Sequence, residues 1–462
     1  MNTRTILLPI YNGIRAKNFF RTDIYTELVR DVSLRLVVAV PRSKLEYYRR
    51  EFPDRNVIFE PLEIISEPEF GRILSVIAFN LLDTDTIRAK QWWEYMRYGK
   101  YWKFVLKRGV NLVFGRMRFI RHLIRLLDRL VAIDPAAASL LEKYKPDLII
   151  IPDIVFPPDR VFLRAAKRLG YFVIGMIRSW DNLTSKGVIQ ILPDKLMVHT
   201  TIMKQEAVRY AGMPERDIAV TGIPAYDMFF KKSAVSHDDF LRSLGIPPER
   251  RVILCAPFLY SFTGSAAVIV NGLIQAIERG TLPADLHLIV RYRPATPDFP
   301  EGAVKASDHM TITRPCEYFF PVKNIQSPTE DWEFSKKDLD LLQHSLYYSD
   351  VTINVMSTLS IDAAIYDKPV INVRFEADPA CPPWQRHDIF TPFVHYRELE
   401  ETGGIRMAWS MEELIHRINE YLKNPALDRE GRSRIVKEQV EFTDGQSGQR
   451  AAGYIKDLLN RQ

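Results

Sequence analysis

The chain has 462 residues, with 63 Lys plus Arg against 57 Asp plus Glu, a formal net charge of +6. It is 47% hydrophobic and 26% charged, the balance of a globular protein, which excludes a disordered chain, a collagen-like chain and a disulfide scaffold. The charge is uneven: residues 87–130 carry twelve Lys/Arg and two acids, a local +10, while the remainder carries 51 basic and 55 acidic residues, or −4.

At roughly 150 residues per domain, the length predicts two or three domains. The first residues, Met1 to Pro9, hold too short an apolar run for a secretory signal and no small-residue cleavage site. They predict a first β-strand, Arg4–Ile10. Leu34–Val40, Val57–Phe59, Asp147–Pro152 and Tyr171–Met176 follow as buried strands, with helical patterns such as Phe20–Arg30 and Pro158–Leu169 between them. Strand-then-helix repetition predicts parallel βαβ units. No apolar run approaches the roughly 20 residues of a membrane-spanning helix. Three scattered cysteines, Cys255, Cys316 and Cys381, fit neither a disulfide framework nor a CxxC metal site. The expected compartment is the reducing cytoplasm.

Directly after the first strand, Gly13 allows a tight turn, and Arg15, Lys17, Asn18 and Arg21 offer polar groups to an anionic or polar acceptor. Segment 85–135 is the basic one. Its run Gln91–Phe104 interleaves Trp92, Trp93 and Trp102 with cations, and three of the seven tryptophans fall there. Val113–Leu130 holds Arg116, Arg118, Arg121, Arg125 and Arg129 among leucines and isoleucines, several of them recurring at spacings of three to four. That is the pattern of an interfacial helix on anionic lipid, with Trp92, Trp93, Trp102, Arg116, Arg121 and Arg125 as the expected membrane contacts. A helical hairpin packed on the first domain is the competing reading. Nucleic acid is not an expected partner, because no nucleic-acid motif accompanies these residues and the remaining surface is acidic.

The loop Ile177-Arg178-Ser179-Trp180-Asp181-Asn182-Leu183-Thr184-Ser185-Lys186-Gly187 follows the strand Tyr171–Met176. In one reading Asp181 is a general base for an acceptor hydroxyl, Trp180 is a face for a sugar ring, and Asn182 and Lys186 meet acceptor or phosphate groups. In the other it is a turn capped by Asp181 and Asn182, with Trp180 packed on the fold. Gly222 and Pro224 shape a further turn. A polar stretch, Lys231–His237, serves as linker. Arg251–Ala256, Leu286–Tyr292, Met310–Thr313, Val351–Val355 and Val370–Val373 are a second set of strands. Gly264–Arg279, Lys336–Tyr347, Leu359–Tyr366 and Met411–Lys423 are helices, with a final helix near Gln446–Asn460. The expected architecture is α/β. Two Rossmann-like doubly wound domains, 1–232 (with a basic helical insertion at 85–135) and 238–445, face a cleft, and 446–462 adds a C-terminal helix. Ligands in such folds sit at the carboxyl ends of the strands.

In the second domain, Val351–Val355 runs into Met356-Ser357-Thr358-Leu359-Ser360-Ile361-Asp362, then Lys368-Pro369-Val370. Ser357 or Thr358 is expected to cap a helix whose open N–H groups attract an anion. Ser360 adds a hydroxyl, and Asp362 is placed to accept from ribose hydroxyls. An ordinary cap on a doubly wound helix is the alternative. Upstream, Arg291-Tyr292-Arg293-Pro294 leaves a buried strand with two guanidinium forks suited to phosphate oxygens.

These runs resemble the carboxyl-terminal domain of GT-B transferases, and more narrowly CDP-glycerol glycerophosphotransferase-like and bacterial surface-polysaccharide biosynthesis proteins. Those relatives show a Ser-Ser pair, an Asp within the following helix, and a Lys-Pro-Val/Ile strand; this chain has Ser357-Thr358, Asp362 and Lys368-Pro369-Val370. They often carry His where Arg293 stands, so the resemblance implies charge stabilisation rather than catalysis there. The run Trp180–Gly187 looks like a polysaccharide-biosynthesis signature, with Asp181 where the glycerophosphotransferases have Trp-His-Gly. The resemblance covers most of the chain by layout, but specific motifs over only a few tens of residues, and it leaves 85–135 outside.

It implies a glycosyltransferase that moves a sugar, or a polyol phosphate, from a nucleotide-activated donor to a glycan or lipid-linked acceptor. Arg291, Arg293, Ser357, Thr358, Ser360 and Asp362 would hold the donor and Asp181 would be the base. Gly13, Arg15, Asn18, Trp180, Asn182 and Lys186 would line the acceptor side. Single displacement with inversion is expected, without cofactor or obligatory metal, peripheral on the inner face of the cell membrane. The alternatives are a non-hydrolysing UDP-sugar 2-epimerase and a non-catalytic, membrane-associated assembly subunit.

Overall fold

Runs such as Ile6-Leu7-Leu8 and Leu148-Ile149-Ile150-Ile151 are wholly buried, as strands covered by helices on both faces must be. The structure, a computed structural model, describes residues 3–63, 67–257, 264–293, 299–315, 317–318, 332–386 and 391–461. Pro294 and Cys316 lie outside them.

The chain divides into two compact units. The first is Met1–Gln91, Lys100–Asp227 and Glu441–Gln462; the second is Trp92–Gly99 and Met228–Val440. In the first unit the elements run β1 (Arg4–Pro9), α1 (Gly13–Phe20), α2 (Asp23–Val29), β2 (Leu34–Pro41), α3 (Leu45–Glu51), β3 (Val57–Leu62) and α4 (Glu69–Leu81). Then come α5 (Asp85–Tyr98), whose last turns group with the second unit, α6 (Tyr101–Phe114), α7 (Arg118–Asp128), α8 (Pro135–Tyr144) and β4 (Leu148–Ile151). They are followed by α9 (Pro157–Arg168), β5 (Val173–Met176), α10 (Asn182–Ser185), β6 (Lys195–Val198), α11 (Thr201–Glu206) and β7 (Ile218–Val220). These strands form one parallel sheet ordered β3-β2-β1-β4-β5-β6-β7. Leu7, Val37, Ile149, Phe162 and Leu196 stand in its core.

The expected helix over Phe20–Arg30 is α2, which starts only at Asp23 because Phe20 ends a separate helix, α1. Thr22 adopts an extended backbone (φ −133°), and its hydroxyl donates back to the Phe19 carbonyl at 2.9 Å, so α1 stops and α2 restarts.

The second unit holds α12 (His237–Ser243), β8 (Arg251–Ala256), α13 (Gly264–Glu278), β9 (Leu286–Arg291), β10 (Met310–Thr313), β11 (Glu317–Tyr318), β12 (Trp332–Glu333) and α14 (Lys336–Tyr348). It continues through β13 (Val351–Asn354), α15 (Leu359–Ile365), β14 (Val370–Val373), α16 (Val394–Glu401), β15 (Arg406–Ala408), α17 (Met411–Lys423) and α18 (Arg429–Gln439). Six strands form a sheet ordered β10-β9-β8-β13-β14-β15, with every strand pair parallel; β11 and β12 form a small antiparallel pair.

The final helix, α19 (Ser447–Asn460), belongs to the first unit and packs on α2. Buried Asp227 holds its start, accepting from the Ser447 N–H at 2.9 Å and the Gly448 N–H at 2.7 Å. Gly222 faces that same start at φ +85°, and a Cβ there would meet Ser447 Oγ at 2.4 Å.

Candidate functional site

In each sheet the strand order reverses once, between β1 and β4 in the first unit and between β8 and β13 in the second. Loops at the carboxyl ends of the strands flanking such a reversal leave a crevice between them.

In the first unit that crevice is built by the β1–α1 and β4–α9 turns. Asn12, not Gly13, makes the first turn: its side chain accepts from the Arg15 N–H at 3.3 Å, and Gly13 opens α1 without a left-handed backbone. Arg15 is sealed in the fold. Its Nη2 meets Asp153 Oδ2 at 2.8 Å, its Nε meets Asp159 Oδ2 at 2.7 Å, and its guanidinium lies 3.7 Å over the Phe156 ring. Arg178, after β5, reaches the same Asp153 oxygen at 3.0 Å. Burial pushes the Asp159 carboxyl up to about 8; Arg15 opposes the shift and Asp153 adds to it. The Tyr11 hydroxyl, buried with no hydrogen-bond partner among the described residues, is held well above its ordinary range by burial and by Asp159 and Asp134. Two carboxylates and two guanidiniums thus stitch three loops together. Arg15 serves those carboxylates rather than presenting an open fork, while Asn18 is half-buried in α1.

The Trp180–Gly187 run divides into anchoring and outward-facing residues. Thr184, Ser185 and Gly187 fix the loop to the helices beside it. The Thr184 carbonyl accepts from Thr84 Oγ1 at 2.8 Å, and the Ser185 carbonyl accepts from Lys90 Nζ at 2.8 Å. Gly187 (φ +93°) lies so close to α4 that a Cβ would sit 2.5 Å from Phe79 Cα. Asn182, expected to meet acceptor, is fully buried, and neither amide atom has a hydrogen-bond partner among the described residues. Trp180 and Asp181 are half-buried and Lys186 is exposed. Asp181 Oδ2 accepts from Ser185 Oγ at 2.8 Å. Burial, with Lys186 alongside, lowers the Lys90 ammonium to about 8, and Asp181 pulls the other way. Lys90 is therefore a member of this loop's charge group, although by sequence it counts only towards the basic segment.

In the second unit, β13 ends in Asn354 and the chain turns at Met356 with φ +42°, a left-handed conformation costly for a non-glycine residue. The Asn354 side-chain oxygen gathers the Ser357 N–H, Ser357 Oγ, Ser360 Oγ and Asn372 Nδ2, each at 3.2 Å. The Ser360 hydroxyl also accepts from Asn372 at 3.1 Å and is fully buried, so it shapes the turn from within. Ser357 Oγ accepts from the Leu359 N–H at 3.3 Å, whereas Thr358 makes no side-chain cap bond. Asp362 is buried inside α15, a helix of 7 residues. At the end of β9, Arg291 is buried and Arg293 exposed.

The basic segment folds as α5, α6 and α7. Its expected membrane arginines are engaged with protein groups. Arg116 pairs with Asp83 at 2.8 Å, Arg121 donates to the Arg209 carbonyl at 2.8 Å, and Arg125 donates to the Ile189 carbonyl at 3.3 Å and to that of Ala211. The Trp93 indole N–H donates to the Trp384 carbonyl. Trp92 and Trp102 are exposed. Helices α6 and α7 each pack on α4, with Leu74, Leu81 and Ile124 in a shared core.

Tyr11, Asp153, Asp159, Arg178 and Lys90 are the residues that sequence reading passes over. Asp153 did carry a signal, being the first polar residue past the strand Asp147–Pro152. The others are gathered only by the sheet. Among the described residues, no group of three or more His, Cys, Asp and Glu is placed to hold a metal ion.

No family model matches the chain, and no curated protein matches it. Solved structures match along nearly the whole length. The UDP-GlcNAc 2-epimerase from Neisseria meningitidis, solved bound to UDP-GlcNAc, is 11% identical, with 99% of this chain and 99% of that one covered and a TM-score of 0.55. S. aureus MnaA, solved with UDP, is 12% identical over 99% and 97% at 0.55. A glycosyltransferase from Rickettsia africae ESF-5 is 12% identical over 100% of both chains at 0.52. At such identities the likeness is one of fold: the chain has the two-domain, GT-B-like architecture of these enzymes. The narrower resemblance to CDP-glycerol glycerophosphotransferases has no counterpart among these three.

Proposed function

We propose that this chain is an enzyme acting on a nucleotide-activated sugar. The observation that carries the reading is the full-length likeness of both units to enzymes solved with UDP or UDP-GlcNAc, combined with charged side chains gathered at the strand reversal of the first sheet. Among the two chemistries such enzymes perform, the structural neighbours favour 2-epimerisation of a UDP-sugar. In that reaction an enzyme base takes the proton from C2, the electron pair of that bond forms a C1=C2 double bond as the C1–O bond to UDP breaks, and UDP re-adds to C1 while a proton is delivered to the opposite face of C2.

A second reading is transfer of the sugar to a glycan or lipid-linked acceptor. It is supported by the outward-facing Trp180, Asp181 and Lys186 and by the outer faces of three helices. Phe70, Ile73, Val76 and Ile77 on α4 are exposed, as are Trp102, Val105, Leu106 and Leu112 on α6, Phe119, Leu123 and Leu126 on α7, and Leu130 just past it. Residues 100–130 add nine Lys/Arg and one acid. A second copy of the chain would bring like charges together on such a face, whereas an anionic bilayer complements it.

The two chemistries separate in one experiment. The purified chain is incubated with UDP-GlcNAc in deuterium oxide without acceptor. Epimerisation yields the C2 epimer with deuterium at C2. Transfer leaves C2 unchanged and needs added acceptor. Failure of UDP-sugars and other nucleotide sugars alike to shift the melting temperature would refute both and favour a non-catalytic assembly role.

A further inference from the structure

A second charged region lies at the opposite edge of the first sheet. Helix α9 leaves the carboxyl end of β4 and runs back, so its last turn reaches the amino-terminal edge. There Asp194 accepts from the Val173 N–H, at the start of β5, at 2.8 Å, and pairs with Lys167 of α9 at 2.5 Å. Between the ends of α7 and α9 and the loop leading into β6 is a cavity of about 570 Å³. Arg125 comes from α7 and Arg129 from just past its end, Arg164, Lys167 and Arg168 from α9, and Gln190 from that loop.

The cavity's positive charge is only partly matched. Asp128 also lines it, but that carboxylate is spent on Arg164, which it binds twice at 2.8 and 2.9 Å. Arg125 donates to carbonyl oxygens, and Arg168 donates to the Val131 carbonyl at 2.5 Å. Arg129 is exposed. Among the described residues none of these three guanidiniums has a carboxylate partner. Arg164 is only 1% exposed, yet its Nη1 has no hydrogen-bond partner among the described residues, and neither has Oε1 of buried Gln190. Like charges held this close repel in the absence of an anion, and planar guanidinium forks fit phosphate oxygens. The volume exceeds that of a bare phosphate and leaves room for an organic group beside it, against Ile191 and Leu192.

We propose that this cavity is a binding site for a phosphate ester, separate from the loops at the carboxyl edge of the sheet. The phosphate would lie among Arg125, Arg129 and Arg168, with Arg164 Nη1 beneath it. The ester has two sources: a soluble phosphorylated metabolite, or a lipid headgroup, since α7 also exposes Leu123 and Leu126, and Leu130 just past it is exposed too.

The test uses the full chain, its Arg129→Gln variant, the Arg129→Gln/Arg168→Gln double variant, and Arg108→Gln on α6 as a charge-matched control outside the cavity. Arg129 is exposed, so its single variant guards against loss of fold in the double one. One arm titrates glycerol 3-phosphate by calorimetry. The other measures flotation with phosphatidylcholine vesicles, with and without phosphatidylglycerol. Saturable binding of glycerol 3-phosphate, weakened about tenfold or more by the cavity variants and unchanged in Arg108→Gln, supports the site with a soluble ligand. The same pattern confined to phosphatidylglycerol vesicles supports a headgroup. Absence of binding in both arms, or equal weakening by Arg108→Gln and the cavity variants, overturns the proposal. Neither arm involves a nucleotide sugar, so the result is independent of the proposed enzymatic function.

Discussion

Asp181 and Asp159 are both carboxylates near the carboxyl edge of the first sheet, and their surroundings separate them. Asp181 is half-buried and oriented by Ser185 Oγ at 2.8 Å, which suits a group that must reach a substrate proton. Under the proposed function, Asp181→Asn should lower kcat about 10²- to 10⁴-fold, the range of a positioned general base, while nucleotide-sugar binding persists. Unchanged turnover in that variant would remove Asp181 from the mechanism. Asp159 is fully buried, and its pKa is raised from 3.8 to about 8. The folded state therefore holds a proton that the unfolded state has released, so between roughly pH 4 and pH 8 this group makes stability fall as pH rises. Asp159→Asn should flatten the melting-temperature profile across that window. A profile as steep as that of the unsubstituted chain would assign the pH dependence to other groups.

At the scale of elements, one buried arginine of the Rossmann-like body reaches both ends of the helical segment α4 to α7. Arg164 of α9 binds Asp128 at the end of α7 and, at 2.7 Å, Glu67, just before α4; Arg160 binds the other Glu67 oxygen at 2.7 Å. Removing one member of such a buried network leaves carboxylates without compensation. Arg164→Ala should cost about 3–5 kcal/mol in denaturant unfolding, and a loss below 1 kcal/mol would contradict the network's role. The outer faces of the same helices carry the membrane proposal. Trp102 is 65% exposed and Leu106 60%, and each such side chain gains about 1.5–3 kcal/mol when removed from water. Trp102→Ser/Leu106→Ser should therefore reduce flotation with anionic vesicles at least about tenfold without changing the melting temperature. Equal flotation of both proteins would dismiss this face as the contact. In the structure the engaged Arg121 and Arg125 face the protein and the apolar side chains face outward, an assignment that residue spacing cannot make.

At the scale of the whole molecule, the long buried strands were legible: Arg4–Pro9, Leu34–Pro41 and Arg251–Ala256 hold the apolar runs Ile6–Leu8, Leu36–Val40 and Val252–Ala256, and burial on both faces leaves that signature. Four-residue strands with a clear apolar run, such as Leu148–Ile151 and Val370–Val373, were legible too, but three others were not. Lys195–Val198, Ile218–Val220 and Arg406–Ala408 are too short to show a period of their own and exist because a neighbouring strand offers a hydrogen-bonding edge. The site was legible in part for the same reason. Trp180, Asp181 and Lys186 stand in one continuous run, whereas Arg15 meets Asp153 across 138 residues of chain. The last helix illustrates the point again, since its place beside α2 depends on Asp227 accepting its first N–H groups.

The sequence by itself determined the alternation of strand and helix, the two sets of strands and the concentration of positive charge in one segment, because hydrophobic period and composition are local properties. Only the tertiary structure decided which charges answer one another. Arg15 was taken up by Asp153 and Asp159, Lys90 was drawn into the Asp181 loop, and three of the five cations around one cavity were left without a carboxylate partner among the described residues. Ion pairs depend on distance in space and on exclusion from water, and both are set by the packing of sheets and helices rather than by position along the chain.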